Sequence, residues 1–233
     1  MTSSASRAGW INRLSPDARV YVVSAGLAAA TVVLYGIALA VLDPIDTPYR
    51  VTWWQIALLS LAAELLVVRL ESRGETQSLS LGDIPVTIGL GLASPLGLLG
   101  GRLLGAGVAL AFVRRQPAHK LVFNLCLFGF ETAVAGWTYR LILGGADPIE
   151  PMAWLATVVA VLAANAVSVF GVTAVIALYA GAPRGASIRR ALMVTWLTGV
   201  ACAGIGLGVV ASLWHNPPVA VLFLPVVVGV YIT

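Results

Sequence analysis

The sequence predicts an all-α fold, a polytopic bundle of membrane-spanning helices, from its composition and its long apolar runs. Of the 233 residues, 59% are hydrophobic and only 10% are charged, whereas soluble domains carry about 25% charged residues. The mean hydropathy is +0.94. Fourteen basic and ten acidic side chains are too few to cover the water-exposed surface of a chain this long. The composition therefore excludes soluble enzymes and soluble zinc-finger proteins.

The apolar runs predict eight membrane segments, because about 20 apolar residues cross a bilayer as a helix. Residues 1–19 are expected to form a cytoplasmic tail, and residues 20–233 a single integral membrane domain. Two of the eight segments lie between residues 82 and 113. The other six are residues 20–42, 53–70, 121–143, 152–180, 191–214 and 219–233.

Residues 82–113 form a stretch that is too long for one membrane span and short for two. Basic residues flank this stretch on both sides, around Arg73 and Arg114, so the chain is expected to cross the membrane an even number of times between them. Ser94 and Pro95 mark the reversal, because a proline disfavours helix at the residue before it. Segments three and four are therefore predicted to form a short, Gly-rich broken hairpin. At this depth such a hairpin must be covered by protein or line a cavity.

The loop charges predict the orientation, because cytoplasmic loops carry the excess of Lys and Arg. Placing the N-terminal tail and every second loop inside puts most of the 14 basic residues in the cytoplasm. Only Arg50 then lies clearly in an outer loop. Both termini are expected on the cytoplasmic side. The final apolar segment has no polar stop, so we expect a fragment truncated before a cytoplasmic output domain.

Intramembrane charged residues are costly and are therefore candidates for a functional site. Helical rise places Arg102 and Glu131 about 15 Å from the shared loop that joins their segments, so they are expected to meet. Their contact is either a structural ion pair or part of a ligand site, and the sequence leaves both open. Glu64, nearer the inner surface, is the third charged candidate. Asn124 and Asn165 complete the predicted polar network, because intramembrane amides bond between helices.

Small residues at four-residue spacing predict close packing of the fourth segment. Gly97, Gly101 and Gly105 lie on one face, and such rows let two helix backbones approach each other. The partner helix belongs either to the same chain or to a second copy in a homodimer. Cys126 and Cys202 are expected to be packing residues. No catalytic, cofactor or metal-binding motif is present in the sequence, and the basic loops suit anionic lipid rather than nucleic acid.

Three stretches carry a resemblance to a known family. They are A-E-L-L-V-V-R-L-E-S-R-G-E-T-Q-S-L-S-L-G-D-I-P-V-T-I-G-L, A-S-P-L-G-L-L-G-G-R-L-L-G and R-R-Q-P-A-H-K-L-V-F-N-L-C-L-F-G-F-E-T-A. They resemble the N-terminal MASE-like membrane sensor regions of bacterial cyclic-di-GMP signalling proteins. In those proteins a multi-helix membrane input precedes cytoplasmic GGDEF and often EAL domains.

The resemblance implies a sensory input module in the bacterial inner (plasma) membrane. Such a module binds a small or lipid-like signal and regulates a cytoplasmic signalling domain in cis. Neither a GGDEF nor an EAL motif occurs in the 233 residues, so any diguanylate cyclase or phosphodiesterase activity would lie beyond Thr233.

A second reading remains open beside the sensor. Broken hairpins and charges near the membrane midplane are also typical of a transporter or a substrate-binding membrane component. A membrane enzyme acting on lipid is the weakest reading, since no nucleophile or metal cluster is apparent. On either of the first two readings, the expected partners are the lipid bilayer and a small-molecule ligand.

Overall fold

The computed structural model describes residues 15–41, 45–66, 68–72, 75–79, 81–180 and 185–222. Within these residues the chain forms helices α1 (Pro16–Val41), α2 (Trp53–Leu65), α3 (Asp83–Leu92), α4 (Pro95–Val108), α5 (Ala118–Leu143), α6 (Pro151–Ala180) and α7 (Gly185–His215). A π-helical turn, Ala109–Val113, extends α4, and a 3₁₀ turn, Pro217–Leu222, follows α7. Strands β1 (Val68–Ser72) and β2 (Glu75–Leu79) form an antiparallel hairpin.

Five helices are long and apolar enough to cross a membrane: α1, α4 with its π-helical turn, α5, α6 and α7. The fold is therefore helical, and it is that of a multi-pass membrane protein. Eight crossing segments are not seen within the described residues. Most of the eighth predicted segment, residues 223–233, lies outside them.

The second predicted segment, residues 53–70, is shorter than expected. Helix α2 ends at Leu65 after 13 residues, which gives a length of about 20 Å. The chain then enters β1, which pairs with β2 from Val68 opposite Leu79 to Ser72 opposite Glu75. Apolar and charged residues alternate in V-R-L-E, the period-two pattern of a strand. The apolar run before β1 predicts a membrane helix as far as residue 70, and this part of the prediction is wrong.

The broken hairpin is present but its two arms are unequal. Helix α3 has ten residues, about 15 Å, whereas α4 and its π-helical turn have 19, about 28 Å. Ser94 separates them in an extended conformation, and its Oγ accepts a hydrogen bond from the N–H of Gly97 at 3.1 Å. Pro95 occupies the first helical position, where its missing N–H costs nothing. Only α4 is therefore long enough to cross a membrane.

Helix α3 lies at the centre of the bundle. Every residue from Ile84 to Leu92 is buried, and α3 packs against α2, α4, α5, α6 and α7. A helix that is apolar on all faces needs cover on all faces. The N–H of Val51 donates to the carbonyl of Leu92 at 2.9 Å, which fixes the end of α3 beside the start of α2. The other end of α3, at Asp83, therefore lies about 15 Å from Leu92 along the helix axis, beside Asn165 of α6.

The three glycines of α4 do not share one role. A Cβ on Gly101 would lie 2.5 Å from the carbonyl oxygen of Trp53, and a Cβ on Gly105 would overlap the carbonyl oxygen of Ala57. These two glycines let α4 pack against the backbone of α2 within the same chain. A Cβ on Gly97 would instead meet Ser94 Oγ at 2.7 Å, the atom that caps α4.

Gly105→Ala is expected to destabilise the protein, because the added methyl group meets rigid backbone of α2. The expected cost is about 1–3 kcal/mol, the range for overpacked sites. Gly100→Ala is the matched control, since nothing lies within 4 Å of a Cβ at that position of the same helix. The free energy of unfolding in detergent micelles measures both. Equal stability of the two variants would contradict the close approach of α2 and α4.

Candidate functional site

A cavity of about 270 Å³ lies beside the N-terminal end of α3. It contains five charged side chains, from Glu64, Asp83, Arg102, Arg114 and Glu131. Helices α2 to α7 all contribute to it. The uncharged residues around it are Ser60, Gly82, Ala106, Phe128, Asn165, Ser168, Thr195 and Thr198. We call it the polar cavity.

Arg102 and Glu131 form a buried ion pair at one wall of the polar cavity. Arg102 Nη2 donates to Glu131 Oε2 at 2.7 Å, and the two side chains are only 9% and 5% exposed. Arg102 Nη1 donates to the Thr132 hydroxyl at 3.0 Å, and the guanidinium carbon lies 5.1 Å from the centre of the Phe128 ring. The guanidinium is thus held by hydrogen bonds on two sides and by an aromatic face. This geometry fixes the position of the Glu131 carboxylate.

Glu64 pairs with Arg114, a residue that sequence analysis assigned only to a basic loop. Arg114 Nη2 lies 3.3 Å from Glu64 Oε2 and donates to the backbone carbonyl of Glu64 at 2.7 Å. That carbonyl belongs to the last turn of α2, where carbonyls lack helical partners. Arg114 directly follows the π-helical turn of α4. The missed signal was Glu64 itself, because a carboxylate inside an apolar segment needs a cation nearby.

Asp83 is the second site residue that sequence analysis missed. It is the first residue of α3, where the helix dipole stabilises a negative charge. Asn165 Nδ2 donates to Asp83 Oδ2 at 3.0 Å and, more weakly, to the carbonyl of Thr195 at 3.4 Å. In the described part of the chain, no Lys or Arg lies within ion-pair distance of Asp83. Asp83 is therefore the one carboxylate of the cavity that an amide holds in place of a guanidinium.

Two buried oxygen atoms of the cavity lining lack a partner. Glu131 Oε1 and Ser60 Oγ form no hydrogen bond with any described residue, although their residues are only 4% and 3% exposed. The Ser168 hydroxyl lies close enough to the Glu131 carboxylate to stabilise its charge, although Oε1 itself has no hydrogen-bond partner among the described residues. Buried polar atoms are normally paired. Glu131 Oε1 is therefore a buried acceptor whose hydrogen-bonding capacity no described residue meets.

The structure brings four of the five predicted polar residues together: Arg102, Glu131, Glu64 and Asn165 all line the polar cavity. Asn124 does not join them. Its Nδ2 donates to Gln116 Oε1 at 2.8 Å, which ties the start of α5 to the preceding loop. Seven residues separate Asn124 from Glu131, or about 10 Å along the helix. Residues seven positions apart share a helix face, but this difference in depth keeps Asn124 out of the cavity.

A second cavity, of about 370 Å³, lies near the junction of α3 and α4. Apolar residues form most of its lining, together with Tyr35, Arg50, Tyr139 and Arg140. Arg140 therefore lies far from the Arg102–Glu131 pair. We call this space the apolar cavity.

The comparisons with known proteins find no match: no family model, no curated protein and no solved structure is similar to this chain. Among the described residues, no group of three or more His, Cys, Asp or Glu side chains is arranged to hold a metal ion. The atoms of the polar cavity offer two guanidinium groups already bonded to carboxylates, one carboxylate without a guanidinium, and a free carboxylate oxygen.

Gly199→Ala is expected to disturb this site from the side of α7. A Cβ there would overlap Asn165 Nδ2 and lie 3.3 Å from Asp83 Oδ2, so the amide must move away from the carboxylate. We expect a loss of about 1–3 kcal/mol in the free energy of unfolding in micelles. Gly204→Ala, on the same helix with nothing within 4 Å, is the control and should be neutral or slightly stabilising. A neutral Gly199→Ala would contradict the Asn165–Asp83 contact.

Proposed function

We propose that this protein is a membrane-embedded sensory input module, and that its signal is a small molecule bound in the polar cavity. The observation that carries the proposal is the free Oε1 of Glu131. An ion pair kept only for stability gains nothing from a buried, unpaired oxygen, since such an atom costs about 1–3 kcal/mol. A ligand that donates to this oxygen removes the cost when it binds.

The position of the cavity supports signalling because one ligand there can act on many helices. Six helices meet at it, and Asn165 already links Asp83 on α3 to Thr195 on α7. A ligand that competes for Asp83 changes how α3, α6 and α7 are joined. Binding shifts a conformational equilibrium only when the ligand contacts differ between the two states. A ligand that takes Asp83 from Asn165 would meet this condition.

The proposed orientation places the output on the cytoplasmic side. Arg114 and Arg115 lie between α4 and α5, Lys120 lies in the first turn of α5, and Arg189 and Arg190 lie near the start of α7. Basic residues at these ends favour the cytoplasm. The regulated domain in this proposal is a cytoplasmic domain in cis, of the cyclic-di-GMP type that the resemblance implies.

A transporter or substrate-binding component is the second candidate, and one observation favours it. Helix α3 is discontinuous with α4, and its N-terminus begins at the cavity, as in many transporters where half-helices end at the substrate site. The sensor and the transporter would use the same ligand site. They differ in the consequence of binding, which is regulation of a cytoplasmic domain in the first and movement of the substrate across the membrane in the second.

The sensor proposal is tested by measuring the cellular level of cyclic-di-GMP. The host is a bacterium that expresses the complete reading frame containing this chain. Glu131→Gln keeps the size of the side chain but removes the charge, and it should change the cyclic-di-GMP level at least threefold at equal membrane abundance. Glu150→Gln, an exposed carboxylate outside the cavity, is the control and should leave the level unchanged.

An unchanged level in the Glu131→Gln strain, or a reading frame with no cytoplasmic domain, would overturn the sensor. Substrate uptake into proteoliposomes that depends on Glu131 would then establish the transporter.

A further inference from the structure

We infer that the polar cavity takes a small ligand with a primary ammonium group, held between Glu131 of α5 and Asp83 of α3. The inference rests on the proposed role of the cavity as a ligand site and names the chemistry of its ligand. Three features of the described residues lead to it: an unpaired acceptor, an excess of negative charge, and a lining of hydroxyl groups.

The first feature requires a hydrogen-bond donor. An ionised carboxylate can only accept hydrogen bonds. Glu131 Oε2 accepts from Arg102, and Oε1 lacks a partner within the described residues. The side chain is 5% exposed, so bulk water does not satisfy the free oxygen. The ligand must therefore present an N–H or O–H group at this point.

The second feature requires a positive charge. Three carboxylates line the cavity but only two guanidinium groups. Arg102 is engaged with Glu131 and Arg114 with Glu64, which leaves Asp83 without a guanidinium. The dipole of α3 offsets only about half a charge at its N-terminus. A cationic ligand restores neutrality, whereas an anionic one would have to displace an existing ion pair.

The third feature distinguishes an ammonium from a metal ion. Among the described residues, no group of three or more His, Cys, Asp or Glu side chains could hold a metal ion. The carboxylates line the cavity from different helices, with the hydroxyls of Ser168, Thr195 and Thr198 also in its lining. A primary ammonium has three N–H donors. In the proposed complex these three donors bond to the free oxygen of Glu131, to the carboxylate of Asp83 and to one of the lining hydroxyls.

Thermal unfolding of the purified chain in detergent micelles, titrated with methylammonium chloride, tests the inference. We expect the midpoint to rise in a saturable way. Tetramethylammonium chloride has the same charge but no N–H donor, and sodium chloride matches the ionic strength; neither should raise the midpoint to the same extent. Glu131→Gln and Asp83→Asn should each raise the methylammonium concentration needed for half of the midpoint shift at least tenfold. Glu150→Gln should leave that concentration unchanged.

A second measurement on the unaltered chain covers variants that fail to fold. Dicyclohexylcarbodiimide modifies carboxyl groups in apolar surroundings, and mass spectrometry locates the modified residue. Methylammonium should slow the modification of Glu131 at least fivefold, and tetramethylammonium should not. Equal protection by both ions, or by neither, would overturn the inference that the ligand carries a primary ammonium group.

The outcomes separate this inference from the proposed function. Acetamide donates N–H without charge. Equal stabilisation by acetamide would overturn the inference of an ammonium ligand and would leave the sensor proposal unaffected. Methylammonium binding that depends on Glu131, together with an unchanged cyclic-di-GMP level in Glu131→Gln cells, would support the ammonium and overturn the sensor.

Discussion

Arg102 and Glu131 hold opposite charges in a part of the protein from which a membrane excludes water, and neither could stay there alone. Their 2.7 Å contact joins α4 to α5 and fixes a carboxylate beside the N-terminus of α3. A buried pair of this kind adds little stability compared with apolar residues, but breaking it by removing one partner costs about 3–5 kcal/mol. The pair therefore fixes how α4 and α5 meet, and one oxygen of its carboxylate has no partner among the described residues.

The two short helices, α2 and α3, place polar backbone ends inside the protein. Helix α3 begins at Asp83 within the bundle, where α2 and α4 to α7 surround it. The close approach of α2 and α4 at Gly101 and Gly105 closes one side of this enclosure. Arg114 then caps the last turn of α2. Irregular backbone is tolerated at membrane depth only under such cover. The glycine contacts and the charge pairs both supply this cover.

The sequence was informative where a property depends on local chemistry or on simple length. Proline chemistry placed the break at Ser94, and helical rise placed Arg102 and Glu131 at one depth. The roles of Asp83 and Arg114 could not be read in this way, because each depends on how distant helices pack. Asn124 shares a helix face with Glu131 but not its depth. The alternation in β1 was readable, but the apolar run before it favoured a longer helix.

A double-mutant cycle on Arg102→Met and Glu131→Gln, measured as the free energy of unfolding in micelles, tests whether the two charges act as one unit. Each single variant leaves a buried polar group without its partner, so each should be strongly destabilised. The double variant removes both charges, and it should be more stable than the sum of the single effects predicts by at least about 1 kcal/mol. Single effects that simply add would contradict a coupled pair at the centre of this protein.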